Sequence, residues 1–316
     1  MRLLLNNLLA FCLLILLAFV LLRWLPGDPV DVLYSGDITR GIGAAEREVL
    51  RESLGLAGSI WSQGWQFLQQ LAQGNLGYSV HHAAPVSALL FASLPWSLAL
   101  VLLSVPLALI LGVLPGLLAG SQAHKLLDYW LLVFAAGLSS LPSFALALVL
   151  SSIFAHQLGW FPLSGGATLF ADYSGWQRIL DYLWHGWLPL LVLAAHGALR
   201  FFYLSRGLAQ QLSQRPFIAA AKASGLNQWQ LLRHYYWPNA WPELLTRMTG
   251  VLPSVLGSTL FVEVVFSYPG IGQLLLDAIY NRDFPVIQGV MLTVGLIILI
   301  TNSVIDLFVY QLSKRG

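Results

Sequence analysis

Apolar residues fill long blocks of the chain at about 8–25, 97–120, 126–155, 187–205, 248–267 and 286–310, and the segments between them hold most of the charges. A hydrocarbon core about 30 Å thick needs roughly 20 mostly apolar residues in helical form. Six transmembrane helices are predicted. The block 97–120 has no charged residue, and 126–155 has only Asp128 near its start. Runs such as 98–103 place apolar side chains on every face, unlike the two-residue alternation of a membrane β-barrel strand. Helices are the other structure that satisfies the backbone in lipid, so an all-α polytopic membrane protein is expected. The first block runs into Arg23-Trp24-Leu25-Pro26 without a small-x-small cleavage site, which reads as an uncleaved helix rather than a signal peptide.

Composition sharpens this reading. Of 316 residues, 57% are hydrophobic and 9% charged, against about 25% charged in soluble domains. A soluble enzyme of this composition would lack a polar surface. Sixteen basic and fourteen acidic residues nearly cancel, which excludes a nucleic-acid binder that must neutralise many phosphates. The one cysteine, Cys12, excludes a disulfide framework. With the N-terminus inside, the cytoplasmic cations are Arg2, Lys125, Arg200, Arg206, Arg215, Lys222, Arg233, Arg247, Lys314 and Arg315, against Arg23, Arg40, Arg47, Arg51, Arg178 and Arg282 outside. This bias puts both termini in the cytoplasm.

The connections carry the chemistry. Segment 26–96 is an extracytoplasmic loop with two amphipathic stretches, 44–54 and 61–73, before the turn Gly74-Asn75-Leu76-Gly77. They suit short helices that form a packed cap, lie on the membrane or dock a soluble partner. In the cytoplasmic connection 206–240, Pro216 opens a predicted helix, Ala219, Ala220 and Ala221 fill it, and Gly225 stops it. Asn227 is the predicted N-cap of a second short helix that Pro238 terminates. Arg215, Lys222 and Arg233 make this hairpin a basic surface that another protein could push.

The spacing Ala219-Ala220-Ala221, Gly225, Tyr235, Trp237-Pro238 resembles the EAA loop of ABC importer permeases. Four further segments, in the same order along the chain, resemble the dipeptide/oligopeptide/nickel importer permeases. They are Leu22-Arg23-Trp24-Leu25-Pro26-Gly27-Asp28-Pro29; Leu54-Gly55-Leu56 with Gly74-Asn75-Leu76-Gly77-Tyr78-Ser79; Phe266-Ser267-Tyr268-Pro269-Gly270-Ile271-Gly272; and Ala278-Ile279-Tyr280-Asn281-Arg282-Asp283-Phe284-Pro285. Ala219 stands where the family has Glu, and Asn75 where it has Asp. The Asp-Pro-Arg that commonly follows the last helix is missing.

That resemblance implies the type I ABC importer permease fold in a bacterial inner membrane. It divides the chain into an N-terminal helix (1–25), the outer loop (26–96), a five-helix core with the coupling loop (97–310) and a cytoplasmic tail (311–316). The implied function is half of a translocation pathway for peptides, with nickel or another small solute as the alternative substrate class. The implied partners are a second homologous permease, two ATPase subunits and an extracytoplasmic binding protein. Pro216, Ala219, Ala220, Ala221, Lys222, Gly225 and Pro238 would couple to an ATPase, and Glu263, Pro269, Gly270 and Gly272 are the candidate pathway or gate residues. No Gly-Lys dipeptide is present for a phosphate-cradling loop. ATP and Mg are therefore expected in partner subunits, with no cofactor and no metal held by this chain. A hydrolase is disfavoured by the absence of His-Glu-x-x-His and Gly-x-Ser-x-Gly, and a carrier working alone by the lack of an evident inverted repeat. His81 and His82 would point apart in a helix or strand. Glu263, Asp306 and Arg200 fall in or beside spans, where ionisable groups are costly; Arg200 reads as an interfacial anchor.

Overall fold

The computed structural model describes residues 2–24, 58–121 and 125–313, and these are mostly helical. In chain order come α1 (Arg2–Trp24), α2 (Ile60–Ala72), an antiparallel pair of short strands β1 (Tyr78–Ser79) and β2 (Ala84–Pro85), and α3 (Val86–Gly120). Next are α4 (Lys125–Ser139), α5 (Ser143–Leu150) with a π-helical turn (Ser151–Gln157), and α6 (Trp176–Ser213). There follow α7 (Pro216–Ala223), α8 (Gln228–Leu231) with a second π-helical turn (Leu232–Tyr236), α9 (Trp237–Val265), α10 (Ile271–Tyr280) and α11 (Phe284–Ser313). The amphipathic stretch 44–54, the Leu-Gly-Leu segment, the Pro-Gly-Asp-Pro that follows α1 and residues 314–316 lie outside the described residues.

Among the described residues, three helices are long and apolar enough to cross a membrane unaided: Val86–Gly120, Trp176–Ser213 and Phe284–Leu307. Two of the expected spans, 126–155 and 248–267, are bent, at Pro142 and before Pro253. Leu126–Ser139 meets Ser143–Gln157 at 99°, and Gln228–Met248 meets Pro253–Val265 at 62°. Pro142 stands at the first break as the non-helical N-cap of α5, and its ring pushes the preceding residue out of the helical region; the second is a bend within α9, whose backbone stays helical through Pro253. At the first break the Ser140 hydroxyl donates to the Gly137 carbonyl at 2.6 Å, satisfying a group that lipid cannot. The 23 residues of α1 give it a length of about 34 Å.

Helices outrun the apolar blocks that announced them. α6 has 38 residues where 19 were expected, giving about 57 Å. Its ends carry polar residues because a helix closes its own hydrogen bonds in water as well as in lipid.

The chain forms two compact units, Met1–Pro95 with Gly270–Ile300, and Trp96–Pro269 with Thr301–Gly316. In the first, α1 packs on α11: a Cβ at Gly295 would lie 2.4 Å from Leu14, and Gln288 Nε2 donates to the Ala18 carbonyl at 3.4 Å. Ser79 Oγ donates to the buried Asp283 carboxylate, joining two of the sequence segments that carry the family resemblance.

In the second unit, α3 and α6 touch backbone to backbone. Cβ atoms at Gly112, Gly116 and Gly120 would lie 2.3, 2.5 and 2.2 Å from the carbonyl oxygens of Ala198, Phe202 and Arg206. Both series advance by four residues, one helical turn at a time. Only glycine permits that approach. Arg206 then donates twice to Asp128 of α4, at 2.6 and 2.7 Å, so the charge of the third apolar block is paired rather than exposed to lipid.

Candidate functional site

The 206–240 segment folds as a helical hairpin on the ends of α3, α6 and α9. Pro216 occupies the first turn of α7, where its missing N–H costs nothing. Ile218 and Ala221 are buried, and they join a core cluster with Val113 and Leu117 of α3, Phe201 and Ala209 of α6, and Ala240 and Leu244 of α9. Pro216, Ala219, Ala220 and Lys222 are exposed. α7 is thus rooted by one face and free on the other; of the coupling candidates on α7, Ala221 alone faces inward.

Gly225 ends the helix as expected. Its φ is +80°, and its N–H donates to the Lys222 carbonyl at 3.1 Å. Asn227 caps α8 in a full capping box: its side chain accepts from the Gln230 N–H at 2.9 Å, and its own N–H donates to Gln230 Oε1 at 2.9 Å. Pro238 is not a terminator. It lies in the first turn of α9, and the helix reaches it through the π-helical turn, whose wider winding replaces the usual ladder where proline offers no N–H.

Two polar ties fasten the hairpin. Gln228 Nε2 donates to Ser121 Oγ at 2.8 Å, and the hydroxyls of the buried Tyr236 and of Ser213 share a hydrogen bond of 2.7 Å. Leu114, Leu117, Trp229, Leu232, Arg233 and Trp237 line a groove of about 390 Å³ beside it.

The outer candidates fall in both units. Glu263 is fully buried near the end of α9, whose last turn closes with Tyr268 N–H to Glu263 O (2.8 Å) and Ser267 N–H to Val264 O (3.2 Å). Ser267 takes the left-handed position, φ +46°, of this Schellman motif. The Tyr268 ring meets Trp96 edge-on at 5.5 Å, and Trp96 meets Tyr182 at 4.9 Å. Burial, with the Glu263 carboxylate adding to it, pushes the Tyr268 hydroxyl up to about 12. Pro269 packs on Gly166, and the Gly165 N–H donates to the Phe266 carbonyl at 2.8 Å. Thr168 in turn donates to Asp181 of α6 through its N–H (2.8 Å) and hydroxyl (2.6 Å). In the other unit, Gly270 is the N-cap of α10 and Gly272 is buried in its first turn.

Arg200 is exposed on α6, and Asp306 is half-buried. His81 and His82 lie in a turn, so their rings come together edge-on at 4.9 Å rather than pointing apart. Among the described residues no three His, Cys, Asp or Glu side chains gather as a metal site.

Two features escaped the sequence reading. The glycine repeat at 112, 116 and 120 was visible as a small-residue packing pattern. The Asp128–Arg206 pair, 78 positions apart, gave no local signal.

The fold defines a class. It is similar to the inward-facing methionine ABC transporter MetNI, with a TM-score of 0.51 and 18% identity over 72% of this chain and 96% of that one. The sequence then gives the family. The profile described as "Binding-protein-dependent transport system inner membrane component" matches residues 108–315, and the chain belongs to that family. Relatives include a protein of Brucella suis biovar 1 provisionally assigned as a peptide permease, 34% identical over 92% of this chain and 90% of its own length. The oligopeptide permease AppB of Bacillus subtilis is 29% identical, and the glutathione permease GsiC of Escherichia coli O6:H1 is 30% identical, each over 92% of this chain. The protein is a multi-pass membrane transport subunit.

Proposed function

We propose that this chain is one of two permease subunits of a bacterial inner-membrane importer for peptides, with both termini in the cytoplasm. Two ATPase subunits, which bind ATP and Mg, and an extracytoplasmic binding protein complete the assembly. The names of the relatives support the substrate class, which at this level includes a small peptide such as glutathione.

One observation carries the mechanism: α7 presents Pro216, Ala219, Ala220 and Lys222 outward while Ile218 and Ala221 anchor it in the core that α3, α6 and α9 share. Closure of an ATPase dimer against α7 would move this anchored helix as a solid body. The ties Gln228–Ser121 and Tyr236–Ser213 pass the displacement to α3 and α6. The pathway then shifts between two populations, open to one side or to the other, with no chemistry on the solute. Glu263 and Pro269 in one unit, and Gly270 and Gly272 in the other, are each proposed as pathway or gate residues; in the first of these units Trp96, Tyr182 and Tyr268 form an aromatic cluster beside Glu263.

Ala220→Arg tests the contact, because position 220 is exposed and the change leaves Ile218 and Ala221 in place. The variant should insert into the membrane normally and lose the ATPase subunits on affinity purification. Full recovery of an ATPase with undiminished solute-stimulated hydrolysis would contradict the assignment.

A further inference from the structure

α2 is a helix with three distinct faces. At about 100° per residue, Gln63, Gly64, Phe67 and Leu71 share one arc, and these four are its half-buried positions. This arc meets α1: Gly64 packs on the Phe19 ring, and Phe19 and Phe67 have centroids 5.8 Å apart. Trp61, Trp65, Leu68 and Ala72 form a second stripe, and the first three are 86%, 64% and 46% exposed. Ser62, Gln66, Gln69 and Gln70 form a third, polar and exposed. No residue of α2 carries a charge.

The contact with α1 fixes the depth. Phe19 lies four residues before Arg23, the charge that closes the apolar block of α1, about 6 Å along the axis. That level is where a membrane helix leaves the hydrocarbon and where tryptophan concentrates. A helix lying there has one side toward protein, one toward lipid and one toward water, and α2 supplies a matching surface for each.

We propose that α2 is an interfacial helix seated in the lipid leaflet that surrounds the end of α1, with Trp61, Trp65 and Leu68 in the acyl and glycerol region and Ser62, Gln66 and Gln69 in water. The absence of charge favours lipid over a soluble partner, which would be steered by charged groups. Seated this way, α2 holds the end of α1 at a constant depth. Only the choice of the outer leaflet rests on the proposed orientation.

The experiment places nitroxide labels singly at positions 61, 65, 68, 62, 66 and 69 of a Cys12→Ala background, in the complete transporter in lipid nanodiscs. Positions 61, 65 and 68 should collide several-fold more with oxygen than with a water-soluble nickel chelate, and 62, 66 and 69 the reverse. Chelate access at 61, 65 and 68 would overturn the proposal in favour of a water-facing docking surface. Shielding from both reagents would overturn it in favour of a protein neighbour. Impermeant maleimide on a Gln66→Cys variant in sealed vesicles of known orientation separately reports the leaflet; labelling from the cytoplasmic side alone would refute the orientation while leaving the lipid seat standing.

Discussion

Gly225 holds a backbone conformation that a side chain resists. Its φ of +80° lies in the left-handed region, yet a Cβ there would meet nothing within 4 Å. A substitution therefore strains the turn without a clash, at about 1 kcal/mol for alanine and more for a β-branched residue. Gly225→Val should leave membrane insertion intact and reduce solute-stimulated ATP hydrolysis several-fold, because the exit from α7 is redirected. Stimulation equal to wild type would show that the angle between α7 and α8 is not used in coupling. Ser267 and Arg282 hold the same kind of position without glycine, at φ +46° and +51°, in segments that close α9 and α10. Their side chains were visible in the sequence; their backbone was not, since serine and arginine rarely signal a left-handed residue.

At the scale of elements, the sequence exposed what depends on local periodicity and punctuation. Pro216, Gly225 and Asn227 marked the start, stop and cap of the hairpin helices because each acts on its own turn. Pro238 misled for the same reason: proline stops an α-helix, but the π-helical turn before it lets the chain continue into α9. The bends at 141 and between Met248 and Pro253 needed knowledge of which prolines a helix tolerates. Pro189 sits inside an unbroken α6, whereas Pro142 stands at a break. Contacts between helices were legible only as pattern, the glycine repeat of α3, or not at all, as with Asp128 and Arg206. Gly116 is the strictest test of that packing, for its Cβ would meet the Phe202 carbonyl at 2.5 Å and Ser205 Oγ at 2.0 Å. Gly116→Ala should cost about 1–3 kcal/mol, and Gly116→Leu should abolish recovery of folded protein in mild detergent. Wild-type thermal stability of Gly116→Leu would mean that α3 and α6 do not pack as described.

At the scale of the whole molecule, the chain supplies a conduit and a lever. Its sequence has no Gly-Lys pair for a nucleotide loop, its composition leaves little polar surface, and its family consists of membrane components of binding-protein-dependent systems. In the proposed function, work enters through α7 from a separate ATPase, and the binding protein sets most of the selectivity. The most direct measurement is uptake of labelled peptide into sealed vesicles. The purified chain alone should accumulate none, and ATP-dependent accumulation should appear when the second permease, the ATPases and the binding protein are added together. Accumulation by this chain on its own, with or without ATP, would contradict the account.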